Sequence, residues 1–171
     1  MSKVPNIDVI VGDITKLNVE CIVNAANPSL LGGGGVDGAI HFAAGRQLFE
    51  ECKKLGGCET GQCKITSAYK LPCQRVIHTI GPIWKGGTNN EEALLTSCYT
   101  SCLKLAMEYK LNSIAFPNIS TGIYKFPKEK AAEIAIKTIN ECLSNGLYNG
   151  QVFICCFSET DAEFYKKIFE S

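Results

Sequence analysis

Cys21-Ile22-Val23-Asn24-Ala25-Ala26-Asn27-Pro28 runs through Ser29-Leu30-Leu31 into Gly32-Gly33-Gly34-Gly35-Val36-Asp37-Gly38-Ala39-Ile40. Its first three residues are apolar and two are β-branched, the pattern of a short buried strand. The polar Asn24–Asn27 stretch and Pro28 then turn the chain. Beyond the glycines, Ile40, Ala44, Leu48 and Cys52 recur at helical spacing, which predicts a single helix with that row facing inward. Strand, glycine loop and helix in this order form a unit of α/β proteins, whose ligands bind just past the C-terminal ends of strands.

Outward from this unit the same alternation continues. Ile7 to Val11 reads as a strand ending at Gly12-Asp13, and residues 63–69 and 75–80 read as two more extended runs. Leu94, Cys98 and Cys102 beside Leu95, Tyr99 and Leu103 give residues 91–109 the wide apolar stripe of a helix packed on a sheet. Ser113-Ile114-Ala115-Phe116 is a buried strand that opens into the loop 117–126, and Pro127 suits the first position of a helix. That helix turns Ile134, Ala135, Thr138, Ile139 and Cys142 inward. Residues 151–157 form a last apolar strand, and Thr160 with Glu163 fits a capping box for a closing helix. No repeat, biased tract or linker divides the chain, so residues 1–171 read as one domain. The expectation is an α/β fold with helices on both faces of a mixed sheet.

Bulk properties narrow the partners. Seventeen Lys+Arg balance seventeen Asp+Glu, so no basic excess exists for a nucleic-acid polymer. A single small anion is still accessible to backbone amides. No apolar stretch reaches membrane-spanning length, and Met1 to Asn6 carries no signal-type segment, which predicts a cytoplasmic protein. Ten cysteines with no Cys-x-x-Cys pair read as reduced, buried thiols, and neither a metal nor a cofactor is expected.

The chemistry-bearing residues gather at the strand ends. Gly33, Gly34, Gly35 and Val36 offer free backbone N–H groups for a phosphate, or form a plain flexible turn. Ser120-Thr121-Gly122-Ile123 follows another strand and supplies hydroxyls and a second pliable loop, again with an ordinary turn as the alternative. Asp37 stands at a helix start, where the macrodipole favours a carboxylate. Asn27 can both donate to and accept from a sugar hydroxyl, although Asn-Pro is also a common turn. Asp13 either accepts from a base amino group or caps the next turn. Phe157 either stacks on a base or belongs to the core. His41 and His78 read as structural histidines, and no Gly-x-Ser-x-Gly elbow is present.

Val11-Gly12-Asp13-Ile14-Thr15, Ile22 through Pro28, Gly33 through His41 with Ala43-Ala44-Gly45, Val76 through Pro82, and Ala115-Phe116-Pro117 with Ile119 through Tyr124 together resemble the macrodomain family. Cys58-Glu59-Thr60-Gly61 and Leu71-Pro72 resemble its MacroD-type and O-acetyl-ADP-ribose deacetylase branch. The resemblance implies a three-layer α/β/α fold around a mixed, about six-stranded sheet that binds ADP-ribose as a monomer. It implies that Asp13 and the backbone of Ile14 read the adenine and that Phe157 packs against it. Gly33, Gly34, Gly35 and Val36, with Ser120, Thr121, Gly122, Ile123 and Tyr124, would enclose the diphosphate. Asn27 and Asp37 would address the distal ribose, as catalytic residues of a metal-independent hydrolase. The implied substrates are O-acetyl-ADP-ribose and Asp- or Glu-linked ADP-ribose on proteins. A non-catalytic reader of ADP-ribosylated proteins and a phosphatase acting on ADP-ribose 1″-phosphate are the alternatives. Lys125 departs from the pattern, which has glycine there.

Overall fold

The computed structural model describes residues 6–170. Of the N-terminal stretch read above as lacking a leader, residues 1–5 lie outside those described. Six strands build one sheet: β1 (Ile7–Val11), β2 (Cys21–Ala26), β3 (Cys63–Ser67), β4 (Arg75–Ile80), β5 (Ser113–Phe116) and β6 (Gln151–Cys156). Their order is β1-β6-β5-β2-β4-β3. All neighbours run parallel except β3, which is antiparallel to β4.

Five helices cover the sheet: α1 (Gly35–Ala44), α2 (Arg46–Leu55), α3 (Glu91–Glu108), α4 (Lys128–Ser144) and α5 (Glu159–Glu170). Side-chain alternation along the strands divides the core in two. Ile22 and Ala26 of β2, with Val76 and Ile80 of β4, pack under Ile40, Ala44, Leu48 and Cys52 of α1 and α2. Cys21, Val23 and Ile77 face the other way, into a cluster with Leu95, Tyr99 and Leu103 of α3, Ala135 and Ile139 of α4, and Tyr165 of α5. The result is the expected three-layer α/β/α arrangement. Burial on both faces is why the central strands read as continuous apolar runs.

Three local expectations are corrected. The predicted single helix breaks at Gly45 (φ 91°, ψ 173°), which separates α1 from α2. The row Ile40, Ala44, Leu48, Cys52 stays buried across the break, so its period gave no sign of it. Helix α5 begins at Glu159, and Ser158 Oγ, rather than Thr160, accepts from the Asp161 N–H at 3.2 Å. Pro127 caps α4 instead of occupying its first turn.

Candidate active site

Strand direction concentrates the C-terminal ends of β1, β6, β5 and β2 along one edge of the sheet. Three steps of about 4.8 Å separate the first from the last, a track of roughly 14 Å suited to an elongated ligand. β2 leads into α1 on one face, whereas the adjacent β5 leads into α4 on the other. Their exit loops therefore part above the sheet. This is the switch-point crevice of open parallel sheets.

At the β1/β6 end, Val11 and Asp13 are exposed and Phe157 is 91% exposed. That exposure removes Phe157 from the core and leaves a free aromatic face beyond β6. Asp13 accepts from Thr15 N (3.0 Å) and Thr15 Oγ1 (2.6 Å), capping a short 3-10 turn over Ile14–Lys16. Hydrogen bonds from the Thr15 hydroxyl and then its N–H hold the Asp13 carboxyl below its ordinary pKa. The capping alternative is thus realised, with the side chain still at the surface. The Ile14 side chain is buried beneath it.

In the middle lie the two loops. Gly34 caps α1, while Gly35 and Val36 form its opening turn. Gly35 takes φ 58°, a left-handed conformation that other residues adopt at a cost. Opposite, Ser120 (φ 67°) is buried, Thr121 Oγ1 donates to the Asn118 carbonyl (3.3 Å), and Ile123 is 82% exposed. Gly122 O accepts from Lys125 N, and Tyr124 O accepts from Trp84 N at 2.9 Å. Phe126 packs on Trp84 with ring centroids 4.8 Å apart, anchoring the loop's far side. Lys125 holds φ 60° and is exposed, so the departure from glycine does fall on a left-handed position.

At the β2 end Asn27 and Asp37 converge. Asn27 Nδ2 donates to the Gly32 carbonyl (2.8 Å), and its Oδ1 accepts from Ser29 Oγ (2.6 Å). A β-carbon on Gly33 would stand 3.2 Å from both Asn27 Nδ2 and Asp37 Oδ2, so both side chains border one small space. Asp37, in the first turn of α1, is 4% exposed. Burial raises its carboxyl pKa above the ordinary value, and the Asn24 hydrogen bond and His41 pull it only part of the way back. Asp37 Oδ1 accepts from Asn24 Nδ2 at 2.9 Å and lies 3.5 Å from His41 Nε2. An ionisable carboxyl poised upward in a cleft, beside an amide that addresses the same space, is chemistry suited to orienting or deprotonating a water.

Beneath Asp37 lie Asn24, read above only as part of the polar stretch, and His78, read as a structural histidine and bonded at both ring nitrogens. Asn24 lies inside β2, not in a turn after it, and His78 sits beside it on β4. Their only sequence signal was alternation, which puts Asn24 with Ile22 and Ala26, and His78 with Val76 and Ile80. His41, expected to be satisfied, has no hydrogen-bond partner at Nε2 within the protein. A depression of about 680 Å³ beside α2 and β3 holds Arg46, Glu50, Lys54 and Tyr69 but none of these groups. Among the described residues no cluster of His, Cys, Asp and Glu could hold a metal ion, and no helix is long and apolar enough to cross a membrane.

The fold and this cleft define a nucleotide-type α/β binding domain with a candidate acid at one end of its groove. The macro domain family model matches residues 23–135, and the chain belongs to that family. It is 49% identical over 166 residues to the O-acetyl-ADP-ribose deacetylase of Escherichia coli K12, covering 95% of this chain and 94% of that one. An Oceanobacillus iheyensis macrodomain solved with ADP superposes with a TM-score of 0.93 at 44% identity, covering 98% and 93% of the two chains. A Trypanosoma brucei macrodomain in complex with ADP-ribose gives 0.88 at 40% identity, covering 95% of this chain and 68% of that one.

Proposed function

We propose that the chain, acting as one domain, binds ADP-ribose along this groove and hydrolyses esters at its distal ribose. The base lies on Phe157 with its amino group toward Asp13 and its ring edge toward the backbone of Ile14. The diphosphate sits between Gly33, Gly34, Gly35 and Val36 on one side and Ser120, Thr121, Gly122, Ile123 and Tyr124 on the other. Backbone N–H groups and the start of α1 supply the positive potential, which suits a chain of zero net charge. The observation that carries the catalytic part is the convergence of Asn27 and Asp37 on the space beside Gly33.

The chemistry follows from that placement. Asn27 holds a ribose hydroxyl, and the diphosphate grip fixes the ester beside one water. Asp37 orients that water and accepts its proton as the oxygen attacks the ester carbonyl. The ribose–oxygen bond to the acyl carbon then breaks, and the proton passes to the departing ribose oxygen. Acetate, or a protein Asp or Glu, is released with ADP-ribose, and no metal takes part. The support for acetyl esters is the likeness to the deacetylase of E. coli, while protein-linked ADP-ribose has the same ester bond and reacts by the same steps.

Purified protein should turn over O-acetyl-ADP-ribose and glutamate-ADP-ribosylated protein. Asp37→Ala should slow both by about 10²- to 10⁴-fold, the usual contribution of a general base. ADP-ribose binding by calorimetry should survive that substitution within about tenfold, since the loops carry the affinity. Tight binding with no turnover by the unmodified chain would leave a reader of ADP-ribosylated proteins. Turnover confined to ADP-ribose 1″-phosphate would leave a phosphatase.

A further inference from the structure

Beneath the proposed site, four buried side chains from three strands and a helix form one hydrogen-bonded line. Thr66 Oγ1 lies 2.9 Å from His78 Nε2, His78 Nδ1 lies 3.0 Å from Asn24 Nδ2, and Asn24 Nδ2 lies 2.9 Å from Asp37 Oδ1. Thr66, His78 and Asn24 are each 0% exposed. Asn24 and His78 are register partners, and Thr66 pairs with Val76, two residues from His78. All three therefore point to the α1/α2 face, where Asp37 descends from above.

The protons along this line can be placed. Thr66 has a single hydroxyl hydrogen, and the Ser67 carbonyl at 3.0 Å is in place to take it. Asn24 Nδ2 can only donate, so Nδ1 presents a lone pair and Nε2 carries the imidazole hydrogen, which Thr66 Oγ1 accepts while its own hydrogen goes to Ser67 O. That lone pair accepts one Asn24 N–H, and the second Asn24 N–H goes to Asp37. Turning the amide over would set its carbonyl against both the Nδ1 lone pair and the Asp37 carboxylate. Asn24 Oδ1 has no protein partner of its own, so nothing else fixes which way the amide faces.

We propose that His78 is a positioning residue, which through Asn24 holds Asp37 in the geometry it needs for ester hydrolysis. This rests on the role given to Asp37 above. His78 suits the task because it stays neutral. Desolvation, helped by His41, lowers its pKa to about 3. Few titratable groups face the line: the Cys52 thiol from α2, 3.8 Å from Nε2, and His41 from α1, with ring centroids 6.4 Å apart and Nε2 3.5 Å from Asp37. Neither contact replaces the acceptor that Asn24 requires.

The test pairs activity with a reading that needs none. In the unmodified protein at pH 7.5, nitrogen NMR should find His78 protonated at Nε2 and bare at Nδ1. The opposite tautomer would overturn the proposal whether or not the protein is an enzyme. His78→Leu removes the acceptor, whereas His78→Asn restores a carbonyl oxygen near the place of Nδ1. On O-acetyl-ADP-ribose, His78→Leu should lower kcat about ten- to a hundredfold, as loss of a supporting hydrogen bond typically does. It should also move the acid limb of the pH profile upward and leave the ADP-ribose Kd within about threefold. His78→Asn should recover most of kcat and the profile. An unchanged kcat in folded His78→Leu, or a loss that His78→Asn shares in full, would also sink it. An inactive parent protein with the expected tautomer would instead count against the hydrolase reading, and an unfolded His78→Leu leaves the NMR result to decide.

Discussion

Gly33 has a φ outside the left-handed range, so alanine there strains no backbone. Its β-carbon would, however, press on Asn27 Nδ2 and Asp37 Oδ2, each 3.2 Å away. Gly33→Ala should therefore melt near the parent temperature yet lose about ten- to a hundredfold in kcat, the cost of a small misplacement of reacting groups. Wild-type turnover by this variant would mean that Asn27 and Asp37 do not act in that space. Asp37 itself costs stability when ionised, because it is buried. Its folded pKa lies above the ordinary 3.8, so folding disfavours the ionised form, and stability falls as pH rises from 3.8 through the raised value. Asp37→Asn should consequently melt a few degrees higher at pH 7.5, with the gain vanishing below about pH 3.8 in calorimetric scans. Both residues were visible in the sequence, because their motif keeps chemical groups together along the chain. The pairing of Asn24 with His78 was not, since only the β2/β4 register brings residues 54 positions apart into contact.

Element boundaries show where local signals fail. Helix α3 starts after Asn90, which takes φ 61° and makes no side-chain cap bond. The neighbouring loop is instead gathered onto the Glu91 carboxylate by the N–H groups of Lys85 (2.8 Å), Gly87 (3.0 Å) and Asn89 (2.6 Å). Desolvation works against the charge, but these backbone bonds outweigh it and draw the pKa down to about 2. A depressed carboxyl pKa stabilises the fold fully above the unfolded value, near 4.5, and that contribution is lost as pH falls toward 2. Glu91→Gln should lower the melting temperature by several degrees at pH 7 and by progressively less toward pH 2. An equal deficit at both pH values would assign the effect to packing rather than charge. In the sequence Glu91 was one more acid at a helix start, because a clasp made of backbone donors leaves no mark on residue identity. The Gly45 break was hidden for the opposite reason, as the apolar row continues through it.

For the molecule as a whole, the alternation of strands and helices was enough to predict the layered architecture, since each parallel strand buried on both faces needs a covering helix. Strand order was not legible, because crossovers carry no local signature, and that order places the loops of β2 and β5 side by side. If the groove binds as proposed, ADP-ribose at a hundred times its Kd should stabilise the domain by about 2.7 kcal/mol. A rise in melting temperature of about 5–10 °C would report it, and AMP at the same concentration should give much less. No shift with ADP-ribose would remove the groove as its site.

The sheet order also joins two distant stretches of the polypeptide at the Phe157 end of the groove. β1 and β6 lie side by side, so Val11 and Gly12 meet Cys156, the residue before Phe157, across nearly the full length of the described chain. If adenine lies on Phe157 as proposed, a chain still waiting for its sixth strand during synthesis already holds Asn27 and Asp37 but has no seat for the purine. Ligand occupancy would thus mark translation carried through to that last strand, and a fragment halted before residue 151 would be blind to the nucleotide.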